Sequence, residues 1–326
     1  MTSQLIHPGP EEAMLCLRAM RSVVARADGV PPASRAIMEA AKHAVLNIDA
    51  DIDALPSITP AELAAGLHTP GLAEQFVQAM LINVLADGMP DPECMARVEA
   101  FAAALGVAPP ALRTARLLCE QHMILFRLDF HRRSHIKDMF LDQYRHHGGI
   151  RGVAAGVLGM RGLHEDPALA SRYIALGDLP ADTFGYAYFH HCRDQGFAFP
   201  GEPNGFPEGG VYHDMTHVLS GYGTTPQEET LVAAFQAGYK QVNPFYVILL
   251  GIFNFSTGVN VTPVHQPHIT GILSTPGLAG RFIQAVERGR QVNTDLSDGW
   301  DWWPVLQLPL AEARRQLNVV PEQPPA

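Results

Sequence analysis

YHDMTHVLSGYGTTPQEE, residues 212–229, packs a helix, a turn and a second helix start into one short stretch. A helix over 211–220 turns about 100° per residue, so with His213 at zero, Asp214 lies near 100° and His217 near 40°. The three side chains project into one sector, and histidines at i and i+4 can reach a single metal ion from one face. The chain then turns through Gly221-Tyr222-Gly223. Thr225-Pro226-Gln227-Glu228 reads as the next helix start, with Thr as cap, Pro at the first helical position and Glu228 closing a capping box. Glu229 falls in the first turn beyond, where a short loop returns it beside the first helix. His213, Asp214, His217 and Glu229 are therefore the candidate ligands of a divalent metal. Two neutral imidazoles with carboxylates suit zinc and also accept iron, manganese or cobalt. The alternative is a satisfied polar cluster: with 15 histidines, a chance match to this pattern occurs about once in twenty chains. Asp in place of the glutamate of HExxH reaches less far toward a water, which disfavours peptide hydrolysis. No residue is assigned a catalytic role.

The same helical grammar extends in both directions and predicts an all-α protein. EAMLCLRAMRSVVARADG, EQFVQAMLINVLADG and ARVEAFAAALG place apolar residues at three- and four-residue spacings. Two of these helices end in Ala-Asp-Gly followed by proline, at 27–29 and 86–88, with Gly suited to a left-handed cap. Asp28 and Asp87 can there hold a cation or cap backbone N–H groups. TPGLAEQFVQAM (69–80) and TPGLAGRFIQAV (275–286) share eight of twelve residues, and both read as a Thr cap with Pro at the first helical position. Residues 111–147 read as one longer connecting helix, in which Arg127, Arg132, Arg133 and Lys137 either touch an anionic membrane surface or form a solvated face. His131, His135, His146 and His147 lack an acid at ligand spacing. The expected organisation is two helical domains, 1–110 and 148–326, joined by 111–147, with the C-terminal bundle carrying the metal site.

Composition narrows the function classes. The 326 residues are 47% hydrophobic and 17% charged, enough for a sizeable core. A net charge of −10 argues against nucleic acid as a partner. Cys16, Cys94, Cys119 and Cys192 stand far apart with no CxxC pair, so reduced cytosolic thiols are expected. MTSQLIHPGPEEAM has no basic flank and apolar centre, so no signal peptide is expected. NPFYVILLGIFNFSTGVNV (243–261) is the most apolar run, but its unbroken part is too short to span a bilayer.

Two resemblances add to this reading. The helix–ADG–helix duplication over about the first 110 residues resembles the tellurite-resistance TerB-like domain. HDxxH followed after eleven residues by Glu, with DLPADTFGYAY (178–188) upstream and VERGRQVNTDL, the Trp300–Trp303 patch and PLAEARRQLNV downstream, resembles the coenzyme Q (ubiquinone) biosynthesis protein 4 family over about 148–326. That resemblance implies an all-helical bundle with the same four metal ligands, and a role in removing the C1 carboxylate of a prenylated hydroxybenzoate ring with oxidative hydroxylation there. It equally implies a non-enzymatic organiser of a membrane-associated quinone-biosynthesis complex. A stress-response accessory role, through the TerB-like half, is the third alternative. An isoprenoid tail needs an apolar channel, for which Phe245, Val247, Leu249, Leu250, Ile252 and Phe253 are candidates; their plainer role is core. Expected partners are a prenylquinone precursor, other quinone-biosynthesis proteins and a second copy of the chain, in the cytoplasm or on the inner face of the membrane.

Overall fold

The computed structural model describes residues 5–322 apart from 135, 138–140, 142, 143, 146–148 and 263–265. His135, His146 and His147 lie outside the described residues. The helices are α1 (Pro10–Val24), α2 (Pro32–Ala41), α3 (Pro60–Gly66), α4 (Leu72–Leu85), α5 (Pro92–Ala104), α6 (Pro110–Cys119), α7 (Met123–His131) and α8 (Ile150–Gly159), followed by α9 (Pro167–Ile174), α10 (Phe184–Asp194), α11 (Tyr212–Ser220), α12 (Pro226–Tyr239), α13 (Pro244–Phe255), α14 (Leu278–Arg290), α15 (Trp303–Leu306) and α16 (Leu310–Gln316). The fold is all-α, and among the described residues the only β pairings are isolated bridges. Eight of these helices begin on proline, whose missing N–H would be unsatisfied there anyway.

Three sequence expectations change on contact with the structure. Residues 111–147 do not form one helix: α6 ends at Cys119, Gln121 takes a left-handed φ of 58°, and α7 starts at Met123. The two TPGL segments are turns and not capped helix starts. Gly71 (φ 81°, ψ −15°) and Gly277 (φ 76°, ψ −15°) hold the third position of a type II turn, closed by Leu72 N–H to Thr69 C=O at 3.2 Å and Leu278 N–H to Thr275 C=O at 3.0 Å. Each helix therefore begins at the leucine. The ADG glycines do take positive φ, 115° at Gly29 and 142° at Gly88. Asp87, however, caps a different helix: its carboxylate accepts from Ala33 N–H (2.7 Å), Ser34 N–H (2.8 Å) and Ser34 Oγ (2.6 Å) at the start of α2. The α2 N-terminal dipole and the Asp87 charge are thereby satisfied by each other.

Most buried apolar side chains from Ala13 to Val319 form one contiguous core, with Ala233, Ala237 and Val247 in a second small cluster. Helix α12 lies at its centre, buried without interruption from Thr230 to Tyr239, between α13 and α14. The N-terminal helices join the same core, α2 against α14 and α4 against α13. α12 and α14 approach so closely that a Cβ on Gly289 would lie 1.9 Å from the Phe235 carbonyl oxygen, and one on Gly238 would lie 2.4 Å from the Val286 oxygen. Alanine improves intrinsic helix propensity by about 1 kcal/mol, but here the obstruction is backbone and cannot rotate away. Gly289→Ala is expected to destabilise the fold by about 2–4 kcal/mol, read as a lower urea midpoint with an unchanged m-value. An unchanged or raised midpoint would show that the two helices separate at little cost.

Candidate metal centre

Local chemistry sets both helices of the centre. Gly221, at φ 83°, ends α11 in a left-handed cap. Thr225 caps α12, its hydroxyl accepting from Glu228 N–H, while the hydroxyl donates to the Glu228 carboxylate at 2.8 Å. That carboxylate folds over Gly223, where a Cβ would meet it at 2.6 Å, so the second glycine of the turn leaves room for the cap. The far end of α11 is held from the C-terminal segments. Arg314 donates to the carbonyls of Val218 (2.8 Å) and Leu219 (2.9 Å), and Arg288 to that of Ser220 (2.9 Å). Cations there complement the helix dipole as well as its unpaired carbonyls.

His213, Asp214 and His217 each place a ligand atom within 4.8 Å of the others. Glu229 crosses from α12 to the two imidazoles: Oε2 is 3.3 Å from His213 Nε2, and Oε1 is 3.5 Å from His217 Nε2. The two Nε2 atoms are 3.3 Å apart. Donors bound at about 2.0–2.1 Å in a tetrahedral site stand about 3.3–3.4 Å from one another. These spacings are of the size of the edges of a tetrahedral site, the two carboxylate distances running to different oxygens of Glu229.

Protonation is set by the surroundings. His217 Nδ1 lies 2.8 Å from the Gly223 carbonyl oxygen, which can only accept, so Nδ1 carries a proton and Nε2 is the atom that faces the site. His213 differs. The Gln236 side-chain amide meets His213 Nδ1 at 3.1 Å; with the amide oxygen presented it accepts from Nδ1–H, steadies the charged imidazole, and leaves Nε2 facing Glu229. Burial works against a charged His213, but the Glu229 hydrogen bond and charge outweigh it and raise its pKa to about 9. Burial likewise opposes ionisation of Glu229, while both imidazoles hold it well below the usual carboxylate range. Burial raises the Asp214 carboxyl against the pull of the two histidines. His217 is 1% exposed whereas His213 is 36% exposed, so the centre is sealed on one side and reaches solvent on the other.

Two neighbours carry no linear signal. His191, on α10, stacks on His217 with ring centroids 5.3 Å apart, and its Nε2 is buried without a hydrogen-bond partner. Burial, with the nearby histidine charges, lowers its pKa to about 4. Gln236 lies about two turns beyond Glu229 on α12, and only the folded geometry pairs it with His213. Of the apolar candidates on α13, Phe245 borders a cavity of about 160 Å³ between α2, α4, α13 and α14. Leu249, Ile252 and Phe253 are fully buried in the core, and Phe253 packs edge-on against Phe126 at 5.0 Å. None of those three lines the cavity.

Fold and site together define an all-helical protein with a His–Asp–His group that can hold a metal ion, closed by a glutamate from the next helix. No family model and no curated protein sequence matches the chain. Among solved structures, a chain from Nostoc punctiforme, provisionally named a ubiquinone biosynthesis protein, is 13% identical with a TM-score of 0.33, over 77% of this chain and 98% of that one. No helix among the described residues is long and apolar enough to cross a membrane.

Proposed function

We propose that this protein binds one divalent metal ion through His213, Asp214, His217 and Glu229 and acts in prenylquinone biosynthesis, at C1 of a prenylated hydroxybenzoate ring. The observation that carries the reading is the closure of the HDxxH…E pattern in space, with His213 left partly open to solvent. A closed structural site would bury all its ligands; this one retains a side from which a substrate oxygen can approach. The sequence resemblance to the coenzyme Q biosynthesis protein 4 family supports the substrate class. The reaction replaces the ring carboxylate with a hydroxyl taken from water and releases CO2; the two electrons and two protons set free pass to dioxygen, which leaves as hydrogen peroxide. A divalent ion supplies Lewis acidity toward a phenol or carboxylate oxygen. The chain's own residues hold and orient: Gly223 sets the His217 tautomer, and Gln236 governs the His213 proton.

The reading is tested by deleting the gene in a ubiquinone-making host that carries it. Quinone falls, a carboxylated prenyl-phenol accumulates, and wild type but not Glu229→Gln restores the pool. An unchanged quinone pool would overturn it. Restoration by Glu229→Gln would instead favour the organiser role, in which the metal is dispensable for turnover.

A further inference from the structure

Charge and apolar exposure are both displaced into one part of the chain. Residues 111–161 carry nine Lys and Arg against four Asp and Glu, while the remainder carries fourteen against twenty-nine. Among the described residues, seven of the twelve exposed large apolar side chains fall between Ile124 and Leu163. On α7, Phe126, Asp129 and Phe130 face the core. The opposite face presents Ile124 (78% exposed), Leu125 and Leu128 together with exposed Arg127. An ordinary surface helix is polar on that face. α8, IRGVAAGVLG, is apolar nearly throughout, yet Gly152 is its only buried residue, and Ile150 is 79% exposed. Exposed Arg151 lies in its first turn and exposed Arg161 just beyond its end.

Nearby acids absorb only part of this charge, as where Arg116 pairs with Glu99. Arg113, Arg132 and Arg133 all converge on the one buried Asp129, at 3.8, 2.6 and 3.5 Å. Three guanidiniums on one carboxylate leave a net positive cluster at the C-terminal end of α7. Exposed apolar side chains interleaved with arginine are the chemistry of an interfacial helix, with the apolar groups entering the headgroup boundary and the cations meeting lipid phosphates and carboxylates. A soluble protein partner would need an acidic face to match; an anionic bilayer supplies both the charge and the apolar depth.

We propose that α7 and α8 dock this protein on an anionic lipid bilayer, through Ile124, Leu128 and Ile150 with Arg127 and Arg151. The acidic remainder of the chain then orients away from the surface by repulsion.

The test is co-sedimentation of the full chain with vesicles of phosphatidylcholine alone or with roughly one third phosphatidylserine. Wild type binds the anionic vesicles, weakly or not at all the neutral ones, and high salt releases it. Ile124→Gln/Leu128→Gln and Arg127→Glu/Arg151→Glu each lower the partition coefficient at least about tenfold. All four side chains are exposed, so both variants keep the wild-type melting temperature and metal content, and that is checked first. Absence of wild-type binding to anionic vesicles overturns the proposal, as does equal binding by wild type and both variants. A wild-type dimer that the glutamine variant converts to monomer, with no vesicle binding by either, would assign the face to self-association instead.

Discussion

His217→Ala purifies without metal, while the wild-type chain carries about one divalent ion. His217 is the most deeply placed ligand: its imidazole is 1% exposed and its tautomer is fixed by the Gly223 carbonyl. Removing a group that merely orients a ligand costs about 10–100-fold in metal affinity, so losing the ligand itself exceeds that. The loss also unpairs the Gly223 carbonyl and leaves a void beside His191, which lowers stability independently of metal. A second pair of variants separates the two effects. Glu228 and Glu229 are adjacent, but Glu228 is occupied by the Thr225 cap while Glu229 contacts both imidazoles. Glu229→Gln loses the ion; Glu228→Gln retains it at an unchanged site, with a stability cost of about 1 kcal/mol from the weakened cap. Elemental analysis after dialysis reads both. Equal metal in Glu228→Gln and Glu229→Gln would remove Glu229 from the ligand set, and retained metal in a folded His217→Ala would remove the site.

The difference between those neighbouring glutamates could be read from the sequence because it rests on local rules. Thr225 and Pro226 set the helix start, which puts Glu228 at the capping position and Glu229 one step round the helix. The same rules failed at TPGL. There glycine follows the proline, and its positive φ makes a type II turn cheaper than a helix start at Pro70 or Pro276. The all-α character was legible from periodicity, but the break at Gln121 was not. A non-glycine residue in the left-handed region, between two helical stretches without intervening Pro or Gly, has no local marker. Long-range pairings were equally hidden. Asp87 caps α2 from 53 residues away, and Arg288 and Arg314 hold the last carbonyls of α11. Such contacts depend on the packing of α2, α14 and α16, which no short window encodes. His191 entered the site in the same way, through the packing of α10 on α11.

Apparent metal affinity should fall about tenfold per pH unit below pH 9 and level off above it. The cause is His213: in the metal-free protein its pKa is raised to about 9 by Glu229, and its Nε2 must shed a proton before it can ligate. Metal-free stability runs the other way. A histidine whose folded pKa lies above its unfolded value of 6.5 contributes stability that is complete below 6.5 and disappears as pH rises through 9. Glu229, depressed in the fold, contributes above its unfolded value of 4.5 and loses that contribution as pH falls through its folded value. The stripped protein is thus best supported by this pair between about pH 4.5 and 6.5, where the metal is held most weakly. The two conditions separate these effects experimentally: melting with chelator loses stability from pH 6.5 to 9, whereas with excess metal the tightening affinity offsets that loss and the melting point stays level. Gln236→Leu removes a hydrogen bond that raises the His213 pKa, so it moves the affinity curve toward lower pH. Parallel melting curves with and without metal across this range would show that His213 does not compete a proton against the ion.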